Sequence, residues 1–234
     1  MKYQIGLLSL ILAFWCLVAS VAGAGEISSD GQRLAGVLDS MHVEQLWLPG
    51  HSVNWRTGEP SKTTHTNTLL MQVKGTIHTH CSAFAAAAAE KMGLYLLHPP
   101  EHSSVLLANA QQDWLRGAGT NQGWHAVSSP LLAQQLANQG QFVVVTYKNP
   151  DPDTPGHIAV VRPSIKDDQE ILAHGPKIIQ AGSHNYQSTS VEVGFRRALR
   201  HGQLLYFAHE IVWPSVVKQD GADKLGASAG NAIN

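Results

Sequence analysis

The chain has 234 residues, with 16 Lys plus Arg against 17 Asp plus Glu, and charged residues make up 14% of it. A balance so near neutrality provides no basic field, which argues against nucleic acid or anionic lipid as a partner. Thirteen histidines are the one compositional excess, and they raise a metal hypothesis that has to be weighed against the rest.

Lys2 precedes an almost wholly apolar run from Ile5 to Ser20, and Ala22-Gly23-Ala24 places small residues where a signal peptidase inspects a chain. The run is short for a hydrocarbon core of about 30 Å, so the pattern predicts a cleaved signal over residues 1–24 rather than a membrane anchor. The expected location is periplasmic or secreted. Cys16 lies inside that run, behind the bulky Ala13-Phe14-Trp15, and leaves with the signal. What remains is about 210 residues, enough for one domain with a real core. It keeps a single thiol, Cys81. An odd cysteine in an oxidising compartment is either a liability or a working group.

Taken in order, Leu34, Val37, Leu38 and Met41 recur at helical spacing, predicting an amphipathic helix over Gln32 to Met41. From Pro49 to Thr68 the chain is rich in turn residues, with Trp47 and Trp55 within or beside it. Residues 25–78 form an N-terminal extension with this loop. A helix then begins in Thr79-His80-Cys81-Ser82-Ala83-Phe84: Thr79 is a suitable cap, Ala85 to Ala89 are strong helix formers, and Gly93 suits the end. Further helices are predicted over Val105 to Arg116 and Leu131 to Asn138. The second has Ser129 as cap, Pro130 at its first position and Gly140 as terminator. Strands follow at Phe142 to Tyr147, His157 to Arg162, Lys177 to Ala181 and Leu204 to Ala208, where β-branched and aromatic residues cluster between turn signals. Helices first and then strands with short connections indicate an α+β domain over residues 79–214, with helices packed on an antiparallel sheet. Residues 215–234 are small and polar and read as a flexible tail.

The chemistry follows from these placements. Cys81 falls in the first turn of its helix, where unsatisfied N–H groups and the helix dipole favour a thiolate. A cysteine nucleophile needs an imidazole to take its proton, and the imidazole needs a polar group to hold its tautomer. His157, opening a strand after Pro155-Gly156, is the candidate base. Gln180, which interrupts an apolar strand, is the candidate orienter, and Asn185 is a second candidate orienter or oxyanion contact. Trp55 and Trp124 are candidate substrate contacts. The competing metal reading rests on His78, His80 and Cys81 with His65 nearby, but the side chains of adjacent donors diverge, and neither a metal nor an organic cofactor is expected. His98-Pro99-Pro100-Glu101-His102 matches a metalloprotease spacing whose ligands must lie one helical turn apart, which two internal prolines prevent.

Cys81-Ser82-Ala83-Phe84, Gly156-His157-Ile158-Ala159-Val160-Val161 and Ile178-Ile179-Gln180-Ala181-Gly182 occur in the order seen in cell-wall cysteine peptidases. Over Thr79 to Gly182 the chain resembles those of the NlpC and CHAP type. That resemblance implies a papain-like fold and a Cys-His-polar triad made of Cys81, His157 and Gln180. It also implies hydrolysis of peptide or amide bonds, often in peptidoglycan stem peptides. The third residue of that family is more often His, Asn or Glu than Gln, and an amide stabilises imidazolium less than a carboxylate does. Two other classes remain open: a non-catalytic peptide or cell-wall binding module of the same fold, and a His/Cys metal-binding protein.

Overall fold

A computed structural model describes residues 25–61 and 79–214. The predicted signal over residues 1–24, His65, His78 and the predicted tail over residues 215–234 lie outside the described residues. No helix among the described residues is long and apolar enough to cross a membrane. Seven helices and six strands are present among those residues, in an α+β arrangement.

α1 (Ser29–Asp39) starts ahead of the predicted position because the Ser28 hydroxyl accepts from the Gly31 N–H, and it buries Leu34 and Leu38 completely. α2 (Cys81–Lys91) begins where expected, but its cap position is His80 rather than Thr79, and no capping side chain bonds the helix start. α3 (Leu107–Arg116) leads through a short 3₁₀ turn (Ala118–Gln122) into β1 (His125–Val127). α4 (Pro130–Asn138) has Pro130 in its first turn and the Ser129 hydroxyl accepting from Leu132 N–H, the start its sequence signals. Then come β2 (Phe142–Tyr147), β3 (His157–Val161), α5 (Asp168–His174), β4 (Lys177–Ala181) and β5 (Asn185–Ser190). α6 (Val191–Gly194), α7 (Arg196–Arg200) and β6 (Leu205–His209) complete the order.

The strands form one sheet in the order β1-β6-β2-β3-β4-β5, antiparallel throughout. Both faces are covered. On one, Val144, Ile158, Val160, Ile179 and Phe207 meet α2 together with Leu34, Leu38 and Trp47 of the N-terminal segment. On the other, Val143, Val145, Ala159, Val161 and Ile178 meet Ala133 and Ala137 of α4 and Val191, Phe195 and Ala198 from the α6 and α7 region. A sheet buried on both faces needs apolar side chains at every position, which is why β2 reads as an unbroken run without alternation. The consecutive alanines Ala85 to Ala89 are all buried. Their small side chains let α2 lie close over β3 and β4, and this brings the first residue of the helix to the sheet.

The N-terminal residues set apart by composition contribute to the same core as α2, since Leu34, Leu38, Met41, Val43 and Trp47 cluster with Phe84. They are also tied to the far edge of the sheet. Gln187 in β5 donates its side-chain amide to Asp39, and the Arg162 guanidinium pairs with the same carboxylate at 2.9 Å.

Candidate active site

Three elements converge: the first residue of α2, the first residue of β3, and the fourth residue of β4. β3 and β4 pair as Val161↔Ile178 and Val160↔Ile179. Side chains alternate along a strand, so His157, Ala159 and Val161 share a face with Ile178 and Gln180. Accordingly the His157 Nε2 lies 3.0 Å from the Gln180 Oε1. The orientation of that amide is set from its other end, where Gln180 Nε2 donates to the His184 carbonyl at 3.1 Å. With its nitrogen committed to a carbonyl, the amide presents oxygen to the ring, so Nε2 carries the proton and donates. Nδ1 is thereby left for the thiol, and Cys81 is hydrogen-bonded to this ring.

The electrostatics of the pair are a contest between burial and mutual attraction. Cys81 is 5% exposed. Burial pushes its thiol up, but attraction to the charged His157 ring, the hydrogen bond to that ring and the backbone N–H groups of Ile158 and Ser82 bring it below the ordinary 9.0. The Ser82 N–H is one of the donors that the first turn of a helix leaves without an intrahelical partner. Ile158 lies where the ladder to β4 has not yet begun. For His157 burial pushes the ring down, and the Cys81 charge, the bond to Cys81 and the bond to Gln180 outweigh it, raising the ring above 6.5. Both shifts favour a thiolate beside an imidazolium.

Phe195 and Gly194, which the sequence did not single out, complete the surroundings. The Phe195 ring lies over the imidazole, with centroids 4.5 Å apart and planes tilted by 43°. Gly194 is pressed against the orienting amide: a Cβ there would sit 2.4 Å from Gln180 Oε1 and 2.8 Å from Ile178 Cδ1. Ahead of the nucleophile, His80 Nε2 lies 2.8 Å from the His51 carbonyl and ties the approach to α2 to the preceding loop. Replacing Gly194 with alanine is expected to displace the Gln180 amide. Loss of one neutral hydrogen bond to the ring then slows alkylation of Cys81 at neutral pH about tenfold. A stopped-flow alkylation series on Gly194→Ala measures this, and an unchanged rate would mean that Gln180 does not hold the ring.

The other residues proposed from sequence are placed differently. Asn185 spends its amide nitrogen on the carbonyls of Val43, Leu46 and Trp47, at 2.7, 2.9 and 3.2 Å. Its Oδ1 is buried without a hydrogen-bond partner, so Asn185 fastens the N-terminal segment and neither orients His157 nor keeps a free amide donor for an oxyanion. Trp124 is 2% exposed, donates its indole N–H to the Tyr95 carbonyl at 2.9 Å and meets Phe142 edge-on. It is a core residue and not part of a cleft lining, because its one polar atom is satisfied inside. Trp55 is half-buried, stacked on His98 with centroids 4.4 Å apart and covered by the Arg56 guanidinium at 4.9 Å. The segment His98 to His102 is not helical, and His98 Nδ1 faces Glu101 at 3.2 Å. Among the described residues no three His, Cys, Asp or Glu side chains converge as metal ligands.

The fold and the site together define an α+β domain with a buried thiol paired to an imidazole at a helix start. No protein-family model matches the chain, and no curated protein matches it.

Proposed function

We propose that this protein is an exported thiol hydrolase of papain-like, NlpC/CHAP-type design that cleaves peptide or amide bonds, with peptidoglycan stem peptides as its substrate. The observation that carries this reading is the convergence of Cys81, His157 and Gln180 through directed hydrogen bonds. A buried cysteine serving only as packing requires neither a ring held in one tautomer nor a thiol driven below its ordinary range.

In the reaction so read, the Cys81 thiolate attacks the amide carbonyl and forms a C–S bond, and the electron pair moves to the oxygen. Backbone N–H groups at the start of α2 stabilise that oxyanion. His157 passes its proton to the leaving nitrogen as the C–N bond breaks, which leaves a thioester on Cys81. Water then attacks the thioester while His157 takes its proton, and the carboxylic acid and the resting pair are regenerated. Gln180 keeps the ring from rotating through both steps. The choice of peptidoglycan rests on the family resemblance and the export signal.

The test is incubation of the reduced protein with purified peptidoglycan, with released fragments read by mass spectrometry before and after alkylation of Cys81. The expected result is fragments carrying new amino termini at peptide bonds, lost when the thiol is blocked. Release that survives blocking, or no release by the reduced protein, would overturn the proposal.

A further inference from the structure

Directly after the residue that covers the His157 ring, the chain reads Phe195-Arg196-Arg197-Ala198-Leu199-Arg200. With about 3.6 residues per turn, Arg196, Arg200 and Arg197 fall across one arc of roughly 100° of α7. All three are exposed, whereas Ala198 on the other side is buried with Phe195 against the sheet. Guanidiniums three and four residues apart on a helix are neighbours and repel. Arg33, Arg56 and Arg162 each pair with a carboxylate. On α7 no such partner is present among the described residues, because Glu192, the acid nearest in sequence, pairs with His174 at 2.7 Å.

Two contacts fix this face relative to the reacting groups. The buried Phe195 ring lies over the His157 imidazole with centroids 4.5 Å apart, and Gly194 is pressed against the Gln180 amide. Consecutive Cα atoms are about 3.8 Å apart, so Arg196 and Arg197 start one and two residues from the group that covers the imidazole. The charges that act on Cys81 and His157 are nevertheless each other's and not an arginine's. The guanidiniums stand off from the reacting atoms, placed to hold the flank of a bound peptide rather than to drive the chemistry.

A guanidinium matches a carboxylate with two parallel N–H donors. Outside α7 acidic residues outnumber basic ones, so a long polyanion laid across the domain meets repulsion and a short acidic segment fits better. We propose that the arginine face of α7 holds a carboxylate side chain of the peptide whose amide Cys81 attacks, and so selects acidic peptides. This assignment rests on the reading of Cys81 as a nucleophile toward peptides. The arginines act on binding: they lower the peptide concentration needed and leave the limiting rate alone.

The test is alkylation of Cys81 in the full chain by bromoacetyl peptides containing glutamates or, in matched reagents, glutamines, with both ends otherwise capped. The bromoacetyl group is placed at the amino terminus or on a C-terminal lysine, so that both directions along the site are sampled. The thiolate displaces bromide as the C–S bond forms. The expected result is half-saturation at about fivefold lower concentration for the glutamate reagent in at least one placement, with equal limiting rates. That preference is expected to vanish at about 1 M salt. The triple variant Arg196→Gln, Arg197→Gln, Arg200→Gln is expected to take both reagents alike, and its Tm reports on the fold. Should it not fold, Arg197→Gln alone is expected to reduce the preference about twofold. Equal half-saturation in both placements, a preference that survives the substitutions, or a difference confined to the limiting rate would each overturn the assignment. Alkylation needs the thiolate and not hydrolysis, so these outcomes are read independently of whether peptidoglycan fragments are released.

Discussion

Replacing His157 with alanine is expected to slow alkylation of Cys81 at neutral pH about a hundredfold and to slow amide hydrolysis about a thousandfold. Burial by itself drives the Cys81 thiol upward, and the charge and hydrogen bond of His157 are the largest effects acting against it. Without the ring, the sulfur keeps the desolvation and loses the strongest part of its compensation. Its ionisation then moves above the ordinary 9.0, and the neutral thiol dominates at neutral pH. Hydrolysis falls further than alkylation because the leaving nitrogen also loses its proton donor. The sign of the pH response follows from the two shifts. In the unaltered protein reactivity is lost as pH falls through the lowered Cys81 value, and proton donation is lost as pH rises through the raised His157 value. In His157→Ala the alkylation rate climbs instead across the alkaline range. An alkylation rate in the variant equal to that of the unaltered protein would mean that the ring does not ionise the sulfur.

Gly156→Ala is expected to cost about 3 kcal/mol of folding stability and to abolish the site along with it. A Cβ at this position would lie 2.1 Å from the Tyr147 carbonyl oxygen and 2.4 Å from Asn109 Oδ1. The first of these is backbone and cannot swing aside. Tyr147 is also the ladder partner of His157, so relieving the clash pulls apart the pair that starts β3. The second contact belongs to a brace. Asn109 donates to the Thr154 carbonyl at 3.0 Å and accepts from the Asn149 N–H at 3.2 Å, holding both ends of the connection between β2 and β3. Denaturant unfolding of Gly156→Ala, paired with its alkylation rate, measures both effects. A loss well under 1 kcal/mol, the range of ordinary surface changes, with an unchanged rate would show that this close approach does not position His157.

The parts of the fold that the sequence made legible are those decided by local chemistry. β2 and β4 stand out as β-branched runs between turn signals, and α4 carries both its serine cap and its proline. Cys81 at a helix start was legible for the same reason, although the cap position fell on His80 and not on Thr79, and it makes no side-chain capping bond. β5 was not legible. Asn185 to Ser190 is polar and only partly buried at the sheet edge, so it shows no apolar alternation. β1 is three residues long, too short for any period to register. The choice between Gln180 and Asn185 was likewise out of reach, because it depends on which strand shares a face with His157. Trp124 misled through its size: large rings suit cleft rims and cores equally, and the Tyr95 carbonyl that satisfies its N–H is distant in sequence. Gly194 and Phe195 carry no local signal at all, since their role arises only where α6 folds back against β4.

The central claim is that Cys81 is held as a thiolate by His157, and the rate of Cys81 alkylation as a function of pH in the unaltered protein tests it most directly. The expected result is a rate that titrates with its midpoint below the ordinary 9.0 and falls as pH drops through that lowered value. A rate that instead rises along a single titration centred near 9.0, the ordinary thiol value, would contradict it.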